Sequence, residues 1–244
     1  SSETIKMFSG VSINDDLSLA FEDACKSDPV SFFGGIVGFN SEVDSSLAKK
    51  LTIPFLECII APSFSDKALE IFKNKKNLRI ITPNSESISY KYSLRSTLGG
   101  FLYQERDLYQ CGDNEFKVVT KAHPSCDEMD AVKLGWKLVK YVKSNAIIIN
   151  NNNNLLGAGA GQMSRVDSVK IAIGKATEFS LNLDQSIMAS DAFFPFPDSL
   201  DLASEAGVKC IVQPGGSIKD DEIIARANEL GISMLFTGKR HFLH

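Results

Sequence analysis

The segment DSLDLASEAGVKCIVQPGGSIKDDEIIARANELGISMLFT, residues 198–237, decides the fold class. Two helical stretches occur in it, and each is followed by a glycine and a short, continuous apolar run. The pattern predicts two helix–strand units in succession: helix 198–206, Gly207 and strand 208–213, then helix 220–230, Gly231 and strand 232–237. Two such units indicate right-handed crossover connections within one sheet.

The same alternation of helices and buried strands runs through the first half of the chain. The predicted helices are 14–26, 45–51 and 65–73, and the predicted strands are 32–39, 55–61 and 78–82. Residues 107–115 carry little apolar signal and are predicted to connect two lobes, 1–110 and 111–244. Alternation of this kind predicts an α/β fold with largely parallel sheets and helices on their faces.

Two local signals organise the start of the second lobe, after a predicted strand at 116–120. Ser125 and Glu128 have the spacing of a capping box and predict the N-terminus of a helix that ends near Lys143. Five consecutive asparagines, residues 150–154, follow a short apolar strand. Because asparagine tolerates positive φ, this run is predicted to be a turn.

Composition places the chain among soluble globular proteins. It has 244 residues, of which 43% are hydrophobic and 23% charged, and its net charge of -4 argues against broad nucleic-acid binding. The five cysteines are scattered without a CxxC pair, so neither a disulfide framework nor a zinc site is predicted, and the expected compartment is the cytoplasm. No apolar run reaches the roughly 18 residues of a membrane span, and the N-terminus lacks the form of a signal peptide.

The segment GAGAGQMSR, residues 157–165, is the first candidate for binding a ligand. Glycines expose backbone N–H groups, a following helix N-terminus favours an anion, and Arg165 adds a charged donor. The spacing fits neither the phosphate-binding P-loop, because Gln162 replaces its second glycine, nor the dinucleotide fingerprint, because Gly161 comes one residue early. A tight, closely packed turn is the alternative interpretation.

Three further segments carry polar or aromatic groups. SDAFFPFPD, residues 190–198, could stack a flat heterocycle beside a carboxylate, or form a hydrophobic plug in which Asp198 only caps a helix. PGGSI, residues 214–218, lies at a predicted strand-to-helix turn, where open α/β sheets bind ligands, although a simple loop fits equally well. The basic end KRHFLH, residues 239–244, is typical of a solvated terminus, although it directly follows a predicted buried strand and need not be a free tail.

Taken together, seven segments resemble, in order, the AICAR transformylase domain, which is the C-terminal part of the bifunctional AICAR transformylase/IMP cyclohydrolase family. The matching segments are DPVSFFGGI, IIAPSF, VKSNAI, GAGAGQMSR, MASDAFFPFPD, GVKCIVQPGGSIKDDE and RHFLH. The resemblance extends from Gly10 to His244, and the chain is expected to lack the cyclohydrolase domain.

The resemblance implies formyl transfer from 10-formyltetrahydrofolate, the co-substrate, to the 5-amino group of AICAR, giving FAICAR in purine biosynthesis. It implies two cytidine-deaminase-like lobes, each a three-layer αβα arrangement with mixed sheets, without zinc. It also implies a homodimer with shared active sites that binds AICAR and folate, and neither nucleic acid nor a membrane is an expected partner. A monovalent cation such as potassium is a further candidate ligand.

The resemblance also implies roles for individual residues. It assigns AICAR contacts to Phe33, Gly34, Glu57, Asn145, Arg165, Phe193 and Arg240. It assigns folate contacts to Val166, Asp198, Ser217 and Ile218. The candidate catalytic residues are Asn145, as a donor that orients the formyl group or stabilises its oxyanion, His244 and Lys6.

One departure from the family pattern concerns a Lys–His pair, whose histidine accepts the proton in the family. Thr4–Ile5 take those positions in an ungapped alignment and Lys6–Met7 take them with a gap, so neither alignment supplies the histidine. One hypothesis is a transformylase whose native form contains the pair. The alternatives are a nucleotide- or folate-binding module without turnover, and a structural or dimerisation lobe that supports an N-terminal enzyme.

Overall fold

The computed structural model describes residues 9–83, 91–109 and 111–243. Its helices are α1 (Leu17–Ser27), α2 (Ser45–Leu51), α3 (Asp66–Phe72), α4 (Cys126–Val139), α5 (Arg165–Glu178), α6 (Asp198–Glu205) and α7 (Asp220–Glu229). Its strands are β1 (Gly35–Gly38), β2 (Leu56–Ile60), β3 (Arg79–Ile81), β4 (Tyr92–Thr97), β5 (Gly100–Glu105), β6 (Lys117–Val118), β7 (Ile147–Asn150), β8 (Leu155–Gly159), β9 (Ile187–Ser190), β10 (Cys210–Gln213) and β11 (Ser233–Phe236). Within these residues, no helix combines the length and the apolar character needed to cross a membrane.

The chain forms two compact units, and their residue ranges differ from those of the predicted lobes, 1–110 and 111–244. The larger unit joins residues 9–33 to residues 111–243, and the smaller unit takes the remaining described residues. The fold class is α/β, as predicted, because helices and strands alternate in both units.

Residues 9–33 join the larger unit because they pack along β8. The backbone N–H of Leu155 donates to the carbonyl oxygen of Val11 at 2.9 Å. The hydroxyl of Ser27, at the end of α1, donates to the carbonyl oxygen of Leu155 at 2.6 Å. These bonds connect residues far apart in the chain, so no local pattern in the sequence indicates them.

The smaller unit contains a three-stranded parallel sheet in the order β1-β2-β3 and an antiparallel hairpin of β4 and β5. Asp44 caps α2 by accepting a hydrogen bond from the N–H of Leu47 at 2.8 Å, and α2 packs against α3. The hairpin is absent from the sequence prediction. Nearly all of its side chains are exposed, so the usual alternation of apolar and polar residues does not mark it.

The larger unit is built on a six-stranded sheet in the order β6-β11-β10-β9-β7-β8. Strands β9, β10 and β11 are parallel, as the helix–strand units of residues 198–237 predict. Strands β6, β7 and β8 pair antiparallel with their neighbours. The sheet is therefore mixed, and the prediction of largely parallel sheets is correct for only three of its strands.

Apolar side chains cover both faces of this sheet. Along β7, Ile147 and Ile149 belong to a core that includes α5, α6 and α7, whereas Ile148 belongs to a second core under α4. Trp136 of α4 is buried in the second core. Because side chains alternate between the two faces and both faces are covered, the strand is a continuous apolar run.

The direction of β7 decides which loops meet. The C-terminal ends of β9, β10 and β11 lie at one edge of the sheet, which is where α/β folds bind ligands. Because β7 runs antiparallel to both β9 and β8, the residues before Ile147 and after Gly159 lie at this same edge. Asn145, the glycine-rich segment and the aromatic segment are thereby brought together.

Two local predictions in this unit are confirmed. At α4, Ser125 Oγ accepts from the N–H of Glu128 at 3.2 Å, and Glu128 Oε2 accepts from the N–H of Ser125 at 2.6 Å. The asparagine run forms the turn between β7 and β8. There, Asn151 Oδ1 accepts hydrogen bonds from the N–H groups of Asn153 and Asn154 at 2.9 Å and 2.6 Å.

Two glycines of β8 let this strand approach α5 closely. A Cβ on Gly157 would lie 2.2 Å from the carbonyl oxygen of Ala172, and a Cβ on Gly159 would lie 1.9 Å from that of Ser168. These distances are far below van der Waals contact, so a larger residue requires the helix backbone to move. The interpretation of the glycine-rich segment as closely packed is therefore confirmed for these two positions.

Gly159→Ala is expected to lower the free energy of unfolding by about 1–3 kcal/mol, because the added methyl meets backbone atoms rather than a movable side chain. Urea unfolding followed by the fluorescence of Trp136 measures the change. The matched control is Gly174→Ala within α5, where the added methyl has no atom within 4 Å apart from its chain neighbours and the nearby backbone of its own helix. The control is expected to raise the free energy of unfolding by about 0.5–1 kcal/mol. Equal effects of the two substitutions would contradict the close packing.

Candidate functional site

A cavity of about 520 Å³ lies at the edge of the six-stranded sheet where β9, β10 and β11 end. It is lined by residues from the glycine-rich segment, the aromatic segment, the C-terminal segment and the start of β7: Asn145, Met163, Ser164, Arg165, Val166, Ala192, Phe193, Pro195, Phe196, Asp198, Ser199, Arg240 and Phe242. Apolar walls with a few polar groups are typical of small-molecule sites. Six of the site residues predicted in the sequence analysis lie here together: Asn145, Arg165, Val166, Phe193, Asp198 and Arg240.

Arg165, the first residue of α5, provides the central charge of the cavity. Its side chain is only 7% exposed. Nη1 donates to Ser190 Oγ at 2.9 Å and to a carboxylate oxygen of Asp191, and Nη2 donates to Asn145 Oδ1 at 3.0 Å. These bonds fix the plane of the guanidinium. Within the described part of the chain, they leave the Nε–H and one N–H of Nη2 for a ligand.

Asp191 is a residue of the site to which the sequence analysis assigned no role. It follows β9, is fully buried and forms an ion pair with Arg165. Its second carboxylate oxygen accepts a hydrogen bond from Ser144 Oγ at 2.5 Å. The available signal was an acidic residue directly after a buried strand, because a buried carboxylate needs a partner.

The C-terminal segment is held at the edge of the sheet, so of the two interpretations of this segment the free, solvated tail is wrong. The N–H of His241 donates to the carbonyl oxygen of Asp191 at 3.0 Å. Ser144 donates its N–H to the carbonyl oxygen of Leu243 at 2.9 Å, and its hydroxyl accepts from the N–H of Leu243 at 3.2 Å. These bonds fix the path of the backbone next to Arg240.

The aromatic segment is divided between the cavity and the core. The guanidinium carbon of Arg240 lies 4.7 Å from the ring centroid of Phe193, within cation–π distance. Lys219 Nζ lies 4.3 Å from the ring centroid of Phe196. Phe194, between them in the chain, is fully buried among core residues. Phe193 therefore lines the cavity, whereas Phe194 packs in the core of the larger unit, and stacking of a ligand on this segment stays a prediction.

Both N–H groups of the Asn145 amide are engaged by the loop before α5. Nδ2 donates to the carbonyl oxygens of Gln162 and Met163 at 2.9 Å and 3.2 Å. Oδ1 accepts one hydrogen bond, from Arg165, and an amide oxygen can accept two. Asn145 can therefore accept a hydrogen bond from a ligand, which differs from the donor role expected for it.

The turn after β10 is closed by the helix that follows it. The carboxylate of Asp220 accepts hydrogen bonds from the N–H of Gly216 at 2.7 Å and from that of Ser217 at 3.2 Å. Ser217 and Ile218 are not among the residues that line the cavity, and Ile218 is fully exposed. Their folate contacts stay predictions.

The remaining predicted site residues belong to the smaller unit, directly precede it in the chain, or lie outside the described residues. Gly34 and Glu57 belong to the smaller unit, and Phe33 directly precedes it in the chain. Their AICAR contacts stay predictions. Lys6 and His244 lie outside the described residues, so their catalytic roles also stay predictions.

Potential metal ligands and thiols do not cluster in the part of the chain that the structure describes. Among those residues, no group of three or more His, Cys, Asp or Glu side chains could hold a metal ion. All five cysteines are free. Burial raises the pKa of the Cys210 thiol to about 12, so this thiol stays protonated at neutral pH and is a poor nucleophile.

Arg165→Met is expected to lower the free energy of unfolding by about 3–5 kcal/mol, because it leaves the buried carboxylate of Asp191 without its charge partner. Urea unfolding measures the loss. The matched control is Arg226→Met, which removes an ion pair with Asp201 whose side chains are 38% and 40% exposed. The control is expected to change the free energy of unfolding little, because solvent screens this exposed pair. A similarly small loss for Arg165→Met would show that the Asp191 carboxylate does not depend on this pair.

The family model and the curated relatives agree with each other. Residues 6–175 match the family model described as AICARFT/IMPCHase bienzyme. Three curated relatives are named bifunctional purine biosynthesis protein PurH. They are 50% identical over 236 residues in Bacillus cereus (strain ATCC 10987 / NRS 248), 49% identical over 236 residues in Leuconostoc mesenteroides subsp. mesenteroides, and 46% identical over 237 residues in Aquifex aeolicus (strain VF5).

Each of these alignments covers 96% of this chain and 46% of the relative, so the chain spans about half the length of the curated relatives it matches. Among solved structures, the dCMP deaminase from the cyanophage S-TIM5 aligns over 41% of this chain and 88% of that chain, with 19% identity and a TM-score of 0.31, which is too low to support an argument. The family match, in contrast, extends over more than half of the chain. The chain belongs to the AICARFT/IMPCHase bienzyme family.

Proposed function

We propose that this protein transfers a formyl group from 10-formyltetrahydrofolate to the 5-amino group of AICAR, giving FAICAR and tetrahydrofolate in purine biosynthesis. The observation that carries the proposal is the cavity in which the buried guanidinium of Arg165 lies near the stacked pair of Arg240 and Phe193. AICAR is a flat, anionic nucleotide, and cations beside an aromatic wall bind such a molecule. Family membership supports the same reaction.

The two arginines and Phe193 form the AICAR side of the proposed site. Arg165 offers the N–H groups that its protein partners leave open, and the guanidinium of Arg240 adds a second positive charge. The buried guanidinium of Arg165, in a largely apolar cavity, attracts a phosphorylated ligand more strongly than the same charge would in open solvent. The ring of Phe193 gives the flat imidazole a surface to pack against. Phe33, Gly34 and Glu57 are proposed to contact AICAR, as the resemblance to the family implies.

Asn145 is proposed to orient the reacting amine. This amine is a weak nucleophile because it is conjugated with the imidazole and its carboxamide. As the nitrogen attacks, an N–C bond forms to the formyl carbon, the carbonyl electrons move to oxygen and the amine loses a proton. Oδ1 of Asn145 has a lone pair that can accept an N–H of this amine. Collapse of the intermediate then breaks the bond to the folate nitrogen, which takes up a proton.

The proton acceptor is the part of the mechanism that rests on resemblance. A positioned base typically contributes about 10²–10⁴-fold to the rate. His244 and Lys6 are the candidates for stabilising charge or accepting the proton in this chain.

Asp198 and Val166 are proposed to bind the folate. Asp198 begins α6, and its Oδ1 accepts the N–H of Ser199 at 2.9 Å. The other carboxylate oxygen can accept hydrogen bonds from the N–H groups of the folate heterocycle. Val166 adds apolar surface to the same cavity. Ser217 and Ile218 are proposed to contact a more distant part of the folate.

Four broader features belong to the same proposal. They are two cytidine-deaminase-like lobes of three layers each, a homodimer with shared active sites, a monovalent cation such as potassium, and a cytoplasmic location. The packing of helices on both faces of the six-stranded sheet supports the layer description of the larger unit. The free state of all five cysteines supports a reducing compartment.

Asn145→Ala is expected to lower kcat about 100-fold, because the amine loses the acceptor that orients it, and to change the Kd for AICAR much less. Formyl transfer by the purified chain is followed through the absorbance of the folate, and AICAR binding is followed by calorimetry. The matched control is Asn182→Ala, an exposed asparagine whose side chain accepts the N–H of Asp184 at 2.9 Å. The control is expected to leave both constants unchanged.

The transfer assay and the binding measurement test the proposed function and the role of Asn145 separately. AICAR binding by the unmodified chain without formyl transfer would contradict a transformylase and favour a binding module. Absence of both binding and transfer would refute the proposed function altogether. Normal transfer that Asn145→Ala leaves unchanged would keep the function and remove Asn145 from the mechanism.

A further inference from the structure

Asp191 does not line the cavity, yet the polar residues of the cavity depend on it. Its side chain is 0% exposed, so it cannot contact a ligand directly. A buried pair of a carboxylate and a guanidinium stabilises a protein no more than well-packed apolar residues of similar size, because both ions lose their hydration. What a buried pair can provide is one defined arrangement of its charged groups.

The first carboxylate oxygen of Asp191 acts on Arg165. It accepts from Nη1, the nitrogen that also donates to Ser190 Oγ, and Ser190 Oγ in turn donates to the carbonyl oxygen of Ala192 at 2.7 Å. Asn145 Oδ1 holds the other terminal nitrogen, Nη2. Only the Asp191 contact in this set carries a full negative charge, so it is the strongest restraint on rotation of the guanidinium.

The second carboxylate oxygen acts on the C-terminal segment through Ser144. Ser144 Oγ donates to this oxygen at 2.5 Å and accepts from the N–H of Leu243 at 3.2 Å. The backbone carbonyl of Asp191 accepts from the N–H of His241 at 3.0 Å. Arg240 directly precedes His241, so its backbone is restrained by the same residue that restrains Arg165.

We propose that Asp191 is the positioning residue of this cavity. One carboxylate oxygen orients the guanidinium of Arg165, while the other, together with the backbone carbonyl, holds the segment that carries Arg240. Asp191 thereby sets the orientation of the Arg165 guanidinium and the position of the backbone from which Arg240 extends. The identity of that ligand as AICAR rests on the proposed function, whereas the positioning of Arg165 can be measured without any ligand.

The first test is ¹⁵N NMR of the arginine side chains in the full chain. An oriented guanidinium rotates slowly about its Nε–Cζ bond, so Arg165 is expected to give separate signals for its two terminal nitrogens. Arg165→Lys identifies these signals by removing them. Asp191→Asn is expected to average them, because the amide carries no charge. Averaged signals for Arg165 in the unmodified chain would show free rotation and would overturn the proposal. This measurement needs no variant, so it decides the point even if Asp191→Asn does not fold.

The second test is a double-mutant cycle measured by calorimetry with AICAR. Asp191→Asn and Arg165→Lys are each expected to weaken binding about 10- to 100-fold. Because Asp191 acts through Arg165, the double variant is expected to bind about as weakly as the weaker single variant. A double variant weakened by the product of the two single factors would show independent effects and refute positioning.

The matched control is Asp201→Asn, which neutralises an exposed aspartate paired with Arg226 at 2.7 Å, outside the cavity. It is expected to leave AICAR binding unchanged. Failure of the unmodified chain to bind AICAR would refute the proposed function. In that case the NMR signals of Arg165 still decide whether Asp191 positions it.

Discussion

The buried ion pair between Arg165 and Asp191 is the interaction on which the site depends. It joins the first residue of α5 to the residue that follows β9, so it links a helix terminus to the edge of the sheet where the loops meet. A buried charge without a partner is costly, so neither residue can be replaced alone without penalty. Ser190 and Asn145 add hydrogen bonds to the same guanidinium, which therefore enters the cavity in one orientation.

The mixed sheet explains why these groups are close together. If β7 ran parallel to β9, Asn145 would lie at the opposite edge of the sheet from Asp191. The antiparallel turn into β8 also returns the chain to the same edge, where α5 begins. Gly157 and Gly159 then allow α5 to pack directly on β8, which determines how close Arg165 comes to the sheet. The glycine-rich segment, residues 157–165, thus determines both how closely α5 packs on β8 and where the guanidinium of Arg165 lies.

Local signals in the sequence predict local structure, and the structure confirms several of them. The parallel strands of residues 198–237, the capping box at Ser125 and the asparagine turn all follow from short patterns. The direction of β7 and the packing of residues 9–33 depend on contacts between distant residues, which no local pattern contains. Arg165 was a candidate because of its residue type and its segment. Asp191 becomes recognisable only when its burial and its two partners are known.

The central claim is that this cavity presents the oriented guanidinium of Arg165, the charge of Arg240 and an aromatic wall to AICAR. A crystal structure of the chain with AICAR tests it most directly. The account predicts a ligand atom within hydrogen-bonding distance of the Nε or Nη2 of Arg165, a negative group near Arg240, and the imidazole ring against Phe193. AICAR bound at another surface, with Arg165 making no contact to it, would contradict the account.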